Sequence, residues 1–154
     1  MITINAEVKG LDTLLEGLKK APKETVEFAS QAIKESLRIV TSDAIKEAPV
    51  NKQFGGGNLR QSIRPSLITK LKGAVIAGAN YSIFVHEGTR PHQIRAKNKG
   101  GLANRRTGQF FGKVVNHPGT KANPFMQRAY DKNKERIDAL FMGVIDKVAK
   151  LLTK

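Results

Sequence analysis

The sequence predicts an α+β fold in which a small antiparallel sheet packs against two long helices. Apolar residues recur at three- and four-residue steps from Val26 to Ala44, the spacing of a helix with one buried face. A second stripe of this kind runs from Ile137 to Leu151. Between the two stripes lie short apolar runs separated by turn residues, a pattern typical of strands. Packing both helices on one face of the sheet buries all of these surfaces.

The first 22 residues predict a strand followed by a short helix. Residues 2–8 alternate between apolar and polar, which indicates a strand with one buried face that ends at Gly10. Leucines at positions 11, 14, 15 and 18 have helical spacing, and Pro22 ends that helix.

The long helix of the N-terminal half is predicted to span Lys23–Glu47. Pro22 suits its start, and Glu24 lies near the positive end of its dipole. Pro49 stops it, because the residue before a proline avoids helical angles. The following loop, residues 51–58, contains three adjacent glycines and is predicted to be mobile.

Three extended runs are predicted after this loop and form a meander of antiparallel strands. The first begins at Leu59, the second covers residues 74–79, and the third covers residues 81–87. Lys72 and Gly73 offer a turn before the second run. The C-terminal helix then begins with Asn123 as its cap and Pro124 at its first position.

A long basic loop, residues 90–116, lies between the strands and the last helix. It has no clear period, apart from a short strand predicted near residues 113–115, and such long loops are usually functional. The chain has a formal net charge of +14, and no Asp or Glu occurs between Glu87 and Asp131. We therefore predict one domain, residues 1–154, in which residues 90–116 form a flexible basic arm that binds a partner. The arm residues that we expect to bind are Arg90, Arg95, Lys97, Lys99, Arg105, Arg106 and Lys113.

Composition narrows the classes of function. The chain has no cysteine, which excludes disulfides, thiolate metal sites and cysteine nucleophiles. No apolar run reaches the roughly 20 residues that span a bilayer, and the N-terminus lacks the apolar block of a signal peptide. The sequence thus predicts a protein that is made in the cytoplasm and has no membrane partner.

No constellation of residues indicates catalysis, a cofactor or a metal. His86, Glu87, His92 and His117 invite a metal hypothesis, but adjacent residues of a strand point to opposite faces and the helical HExxH pattern is absent. No nucleophile-elbow motif surrounds any serine, and the acidic residues occur mainly on the long helices. We predict that the protein is not an enzyme and that it holds no cofactor.

Three pieces of the chain, in this order, resemble one known family. They are APV…GGGNLRQSI at residues 48–63, NYSIFVHEGTRPH at 80–92 and HPGTKANPFMQRAY at 117–130. Siphophage tail-completion proteins, also called head–tail joining or minor tail components, are similar to this pattern. The three glycines before Asn58 depart from the Thr-Gly pair that members usually show.

The resemblance implies a structural virion protein of a long-tailed bacteriophage. Such a protein is a subunit of a ring, often a hexamer, at the neck, where it contacts the head connector and the tail terminator or tail tube. The residues that carry the family motif are Tyr81, Val85, Glu87, Gly88, Thr89, Pro124 and Phe125.

The motif residues also have physical interpretations of their own. Gly88 suits a tight turn with positive φ, and Thr89 could bond to its own backbone. Phe125 suits packing against the sheet, while Tyr81, Phe84 and Val85 suit a core or an interface on one strand. In the alternative interpretation, each of these residues only stabilises the monomer.

Two other functions remain open from the sequence. A basic nucleic-acid-binding module would use the arm to contact DNA phosphates, but only Phe110 and Phe111 in that segment could stack on bases. This favours protein contact or non-specific DNA contact over the recognition of a DNA sequence. A small hydrolase would need a serine, a histidine and an acid brought together by the fold.

Overall fold

The computed structural model describes residues 2–4, 23–51, 56–97, 100–105 and 107–152. Its class is α+β, as the sequence predicts. The chain forms two compact units, one of Met1–Ser82 with Pro124–Lys154 and one of Ile83–Asn123. We call them the core unit and the arm unit.

Helix α1 spans Lys23–Glu47, the bounds that the sequence predicts. The guanidinium of Arg60 donates hydrogen bonds to the carbonyl oxygens of Ala48, at 2.8 Å, and Lys46, at 3.1 Å. The last carbonyls of a helix have no partner within it, so a cation that bonds to them stabilises its end. Arg60 therefore stabilises the C-terminal end of α1.

The sheet of the core unit has the strand order β1-β3-β2 and is antiparallel throughout. Its strands are β1 (Ile2–Ile4), β2 (Ile63–Thr69) and β3 (Lys72–Ala77). The turn lies at residues 70–71, just before the predicted one. The rest of the predicted first strand, the leucine helix and loop residues 52–55 lie outside the described residues.

Residues 58–62 differ from the sequence prediction. They form the short helix α2, Asn58–Ser62, whereas extended structure was expected from Leu59 onward. Leu59 and Ile63 are both buried, and their spacing of four residues matches one helical turn. The apolar spacing here therefore belongs to a helical turn that leads into β2.

The C-terminal helix and α1 run antiparallel. The side-chain amide of Asn133 donates a hydrogen bond of 2.7 Å to Asp43, and Lys147 Nζ lies 5.3 Å from the centre of the Phe28 ring. The bond from Asn133, followed by the one from Lys46, lowers the pKa of the Asp43 carboxyl. This helix spans Phe125–Leu152.

The hydrophobic core lies in the core unit. Phe125 is fully buried and is one of the two largest fully buried side chains among the described residues. Leu37 of α1 packs closely on Gly73 of β3, so a side chain at position 73 would require the Leu37 side chain to move. The other buried apolar residues are Ala29, Ala32, Ile39, Ala44, Ala48, Leu59, Ile63, Ala74, Val75, Ala77, Met126 and Ala129.

The chain enters the arm unit through helix α3, Ser82–Glu87. The expectation of a strand at residues 81–87 is therefore wrong. Ser82 is fully buried, its backbone N–H donates to the carbonyl of Ala79, and its hydroxyl donates to the carbonyl of Ala77. These bonds turn the chain at the end of β3, and a short apolar run that follows such a turn fits a helix as well as a strand.

The arm unit also contains four short strands. They are β4 (His92–Arg95), β5 (Leu102–Ala103), β6 (Phe110–Gly112) and β7 (Val114–His117). We expected only a short strand near residues 113–115, so β4, β5 and β6 are new. The C-terminal helix, Phe125–Leu152, is the last described element, and we call it α4.

Candidate interaction surface

The arm unit is a long antiparallel β-hairpin. Thr89 and Thr120 bridge its base, β4 pairs with β7, and β5 pairs with β6. The backbone N–H of Asn104 bonds to Gln109 near the tip. With roughly ten paired positions at about 3.3 Å each, the hairpin is about 30 Å long. Residues 90–116, which were expected to form a loop, are therefore paired as antiparallel strands for most of their length.

Two local features shape the distal part of the hairpin. Residues 96–101 separate β4 from β5, whereas only Lys113 separates β6 from β7, so one side of the ladder is longer than the other. At the tip, the carbonyl of Asn104 accepts a bond from the Gly108 backbone N–H at 2.9 Å. This bond holds Arg105 in an exposed turn.

The base of the hairpin depends on Gly88 and on main-chain pairing. Gly88 has a φ of 75°, and a side chain there would collide with the backbone of Thr120 and Ala122. Both backbone bonds between Thr89 and Thr120 are formed, at 2.9 and 3.1 Å. Thr89 Oγ1 is buried and has no hydrogen bond among the described residues, so the expected bond to its own backbone is not made.

Basic side chains cover this hairpin. The unit carries eight Lys or Arg residues and a single acid, Glu87, so it holds +7 of the chain's +14 in 41 of its 154 residues. The expected arm residues that the structure describes are all exposed: Arg90, Arg95, Lys97, Arg105 and Lys113. Lys99 and Arg106 lie outside the described residues.

Arg95 lies on the face of the hairpin that also carries Gln93. Its guanidinium donates a 3.0 Å hydrogen bond to the Gln93 side-chain oxygen. No carboxylate pairs with any arm guanidinium or ammonium among the described residues. These cations are therefore available to an anionic partner.

The arm unit has almost no hydrophobic interior. None of its described residues is buried, and six large apolar side chains are at least a third exposed. They are Ile83, Phe84, Ile94, Phe110, Phe111 and Val114. The sequence predicted Phe84 as a core or interface residue and considered Phe110 and Phe111 only for stacking on bases. It did not predict the other three as exposed, since exposure depends on tertiary structure.

Phe110 is held in place although it is the most exposed of these residues, at 63%. Its ring lies directly against the backbone of Gly101, which has a φ of 82°. A side chain at position 101 would be 2.7 Å from the ring, so only glycine allows this contact. The ring thus contacts the backbone on one side and leaves most of its surface exposed.

Two of the three histidines pair across the hairpin. His92 and His117 face each other on β4 and β7, with ring centres 5.0 Å apart. His92 Nδ1 lies 2.8 Å from the Arg90 carbonyl, and His117 Nδ1 accepts a bond from the Gly119 backbone N–H. The described residues contain no group of three or more side chains suited to a metal.

The family-motif residues divide between core and surface. Phe125 is fully buried, whereas Pro124, Glu87 and Tyr81 are exposed. Val85 is half-buried, and its carbonyl accepts the backbone N–H of residue 123 at 3.0 Å. The interpretation of Tyr81 and Val85 as neighbours on one strand does not hold, because α3 begins at residue 82.

Comparison with known families gives a match over residues 12–88, half of the chain. The family is described as "Bacteriophage HK97-gp10, putative tail-component". The chain belongs to this family of phage tail components. No curated protein and no solved structure is significantly similar to it.

In the matched segment of this tail component, several motif residues contribute to the fold. Ala48, Leu59 and Ile63 are buried, and Arg60 closes α1. The match ends at Gly88, so the hairpin and α4 lie beyond it. Membership places the protein in the virion, and none of the described helices is long and apolar enough to cross a membrane.

Proposed function

We propose that this tail component is a tail-completion or head–tail joining subunit that acts by assembly at the neck. Copies associate side by side into a ring, a hexamer, that contacts the head connector on one side and the tail terminator or tail tube on the other. The core unit and the arm unit serve as one functional domain, in which residues 90–116 form the arm. The protein is not an enzyme in this proposal.

The observation that carries the proposal is the absence of buried residues from the described part of the arm unit. A two-stranded hairpin is only marginally stable in water by itself. This one also exposes six large apolar side chains and carries a net charge of +7. Both properties suit a segment whose stability comes from docking on another protein.

In this proposal, the charge and the exposed apolar side chains of the arm unit direct the assembly of the copies. The net charge of +14 opposes premature association of free copies. Once copies gather on a connector or tail surface, the arm of each docks on an adjacent subunit or ring that carries negative charge. A contact between two different surfaces of neighbouring copies generates a closed ring when the rotations from one copy to the next add up to a full turn.

The arm also suits non-specific contact with DNA, because its described cations are exposed. Such binding would weaken steeply as salt is raised. The exposed aromatic residues Phe110 and Phe111 are adjacent in sequence, which does not provide the spaced stacking platforms of single-strand binders. DNA binding therefore stands as the second candidate function.

The test replaces the phage gene with variants and examines purified virions by mass spectrometry and electron microscopy. In the first variant, Arg95, Lys97, Arg105 and Lys113 become Gln. The matched control changes Lys23, Lys34, Lys132 and Lys134 to Gln, which removes the same charge from exposed positions of α1 and α4.

We expect the arm variant to yield unjoined heads and tails and the control variant to yield normal virions. Normal virions from both would overturn the role of the arm, and wild-type virions that lack the protein would overturn the structural role itself. Salt-dependent binding of the purified protein to duplex DNA, lost in the arm variant that still joins heads to tails, would establish the second candidate instead.

A further inference from the structure

Positive charge is distributed over both units of the chain. The arm unit holds +7, and the core unit holds the other +7, with 19 Lys or Arg residues against 12 Asp or Glu residues. From residue 48 to residue 130, Glu87 is the sole acidic residue. A cationic hairpin that approaches another copy therefore meets a molecule of its own sign in both units, which opposes docking between copies.

The helix pair, which holds most of the acidic residues, is close to neutral. Helices α1 and α4 together carry nine Asp or Glu residues and ten Lys or Arg residues. Three of these carboxylates already form ion pairs with basic side chains: Glu35 with Arg38, Asp43 with Lys46, and Glu47 with Arg128. Taken together, the two long helices therefore offer no excess of negative charge to the arm of another copy.

The edge strand β2, which pairs only with β3 among the described strands, is also unsuited to the hairpin of another copy. The backbone N–H of Gly78 bonds to the Ser62 carbonyl, and bonded pairs alternate along β2 and β3. Pro65 is therefore at a non-bonded position, where its nitrogen faces the free edge without a hydrogen to donate. The charged residues from 63 to 72 are all basic: Arg64, Lys70 and Lys72. A basic hairpin added to this edge would lack one main-chain bond and be repelled.

The hairpin combines an exposed aromatic side chain with cations close to it. Phe110 is 63% exposed, and its ring contacts Gly101 on one side. Arg105 lies two residues beyond Ala103, the partner of Phe110 in the ladder, and Lys113 lies three residues after Phe110. At about 3.3 Å per residue, the backbone of both cations lies within roughly 10 Å of Phe110 along the strands. The surface complementary to this part of the hairpin is an apolar recess bordered by carboxylates.

A protein surface fits this hairpin better than DNA does. Besides Phe110, the arm unit exposes five large apolar side chains: Ile83, Phe84, Ile94, Phe111 and Val114. The DNA backbone contacts cations through its phosphates but leaves aliphatic side chains uncovered. A protein interface buries aromatic and aliphatic side chains at its centre and places charged ones at its rim. The mixture of side chains on the arm is therefore that of a protein-binding surface.

We propose that the hairpin docks on a protein other than this chain, on an apolar recess bordered by acidic residues. Phe110 enters the recess, and Arg105 and Lys113 pair with the carboxylates at its border. This inference rests on the proposed function and names the partner of the arm, which is a component of an adjoining ring and not a neighbouring copy. The contacts between copies within the ring are then formed by other surfaces.

Photo-cross-linking in intact particles tests this contact. The phage is grown with p-benzoylphenylalanine in place of Phe110, a residue of related shape at a position that is exposed in the monomer. Purified virions are irradiated, and the molecule attached to the chain is identified by mass spectrometry of its peptides. The matched control carries the same photoreactive residue in place of Lys134, an exposed position of α4.

We expect the main adduct at position 110 to join a different virion protein, at a peptide with more Asp and Glu than Lys and Arg. Position 134 should form at least tenfold less of that adduct. A main adduct with a second copy, with DNA or with a basic peptide would overturn the inference and leave the protein a virion component. The absence of any adduct, in virions with normal amounts of the protein, would overturn it as well. Virions that lack the protein would instead overturn the proposed function.

Charge reversal provides a second, independent measurement. Arg105→Glu with Lys113→Glu should reduce the amount of the protein in joined virions at least tenfold, because carboxylates of the arm would then face carboxylates of the partner. Lys34→Glu with Lys134→Glu makes the same change in charge on α1 and α4 and should be incorporated normally. A receptor on another copy would give the opposite result, since an acidic hairpin is attracted to a core unit that holds +7. Normal or increased incorporation of the arm variant would overturn the inference.

Discussion

The two units of this tail component differ in where their stability comes from. The core unit contains every buried apolar residue of the described ranges, together with the bonds that join α1 to α4. The arm unit contains no buried residue and is held by main-chain pairing along a hairpin. The core unit is stabilised by its own interior, and the arm unit would gain further stability by docking as the proposed function describes.

This difference indicates how a small chain can both fold and assemble. A hydrophobic core keeps the core unit in one conformation before any partner is met. An arm without a core stays adaptable until it docks, and its docking surface does not have to be hidden in the monomer. Four predictions test this contrast, from the largest expected effect to the smallest.

Hydrogen exchange of the isolated protein should separate the two units most strongly. Backbone amides of β4 and β7 should exchange roughly a thousandfold faster than those in the middle of α1, because local opening of a two-stranded ladder needs far less free energy than global unfolding. Exchange is read by mass spectrometry of peptides from each unit. Similar protection in both units would contradict the view that the arm lacks stability of its own.

Two phenylalanine substitutions should have very different effects on unfolding. Phe125→Ala should lower the free energy of unfolding by about 3–5 kcal/mol, because a fully buried ring is replaced by a cavity. Phe110→Ala should change it by less than about 0.5 kcal/mol, because the ring is 63% exposed. Urea unfolding of the purified variants measures both, and a large loss for Phe110→Ala would place that ring in the monomer's interior.

Asn133→Ala should destabilise the helix pair in a manner that depends on pH. At pH 7 the loss of the bond to Asp43 should lower the free energy of unfolding by about 1–3 kcal/mol. The bond holds the folded-state pKa of Asp43 below its ordinary value, so its contribution is present above that value and is lost as pH falls through the lowered pKa.

The difference between wild type and Asn133→Ala should therefore shrink below about pH 4, the ordinary range for a carboxyl. Thermal unfolding from pH 7 to pH 2 provides the measurement. Lys134→Ala, on the neighbouring exposed residue, should show no such trend. A constant difference at all pH values would mean that the charge of Asp43 does not contribute.

Arg60→Ala should lower the free energy of unfolding by about 1 kcal/mol, because two carbonyls at the end of α1 lose their donor. Arg64→Ala, an exposed arginine in the same segment, serves as the control and should have a smaller effect. Chemical unfolding of both variants measures the difference. Equal effects would show that the cap at the end of α1 adds nothing to stability.

The parts of the fold that the sequence predicted are the long periodic ones. The apolar spacing predicted α1, with Pro22 and Pro49 at its ends, and the stripe of α4 predicted the second helix, because many residues contribute to one pattern. Residues 59–62 and 82–87 were assigned to strands but form helices, since segments of four to six residues have too few turns to reveal their period.

Only the positive charge of the candidate interaction surface was predictable from the sequence. Basic residues and missing acids are visible in the sequence, and the predicted arm, residues 90–116, lies within the arm unit. Three of the four strands were missed because neither face of the hairpin is buried, and exposed strands need not alternate.

Gly143 lies inside helix α4. A glycine inside a helix is less favourable than alanine by roughly 1 kcal/mol, and alanine would fit here without a clash. The protein thus forgoes stability at a position where one methyl group would supply it. Gly143→Ala should therefore give a more stable monomer, which means that monomer stability alone does not account for the sequence of α4.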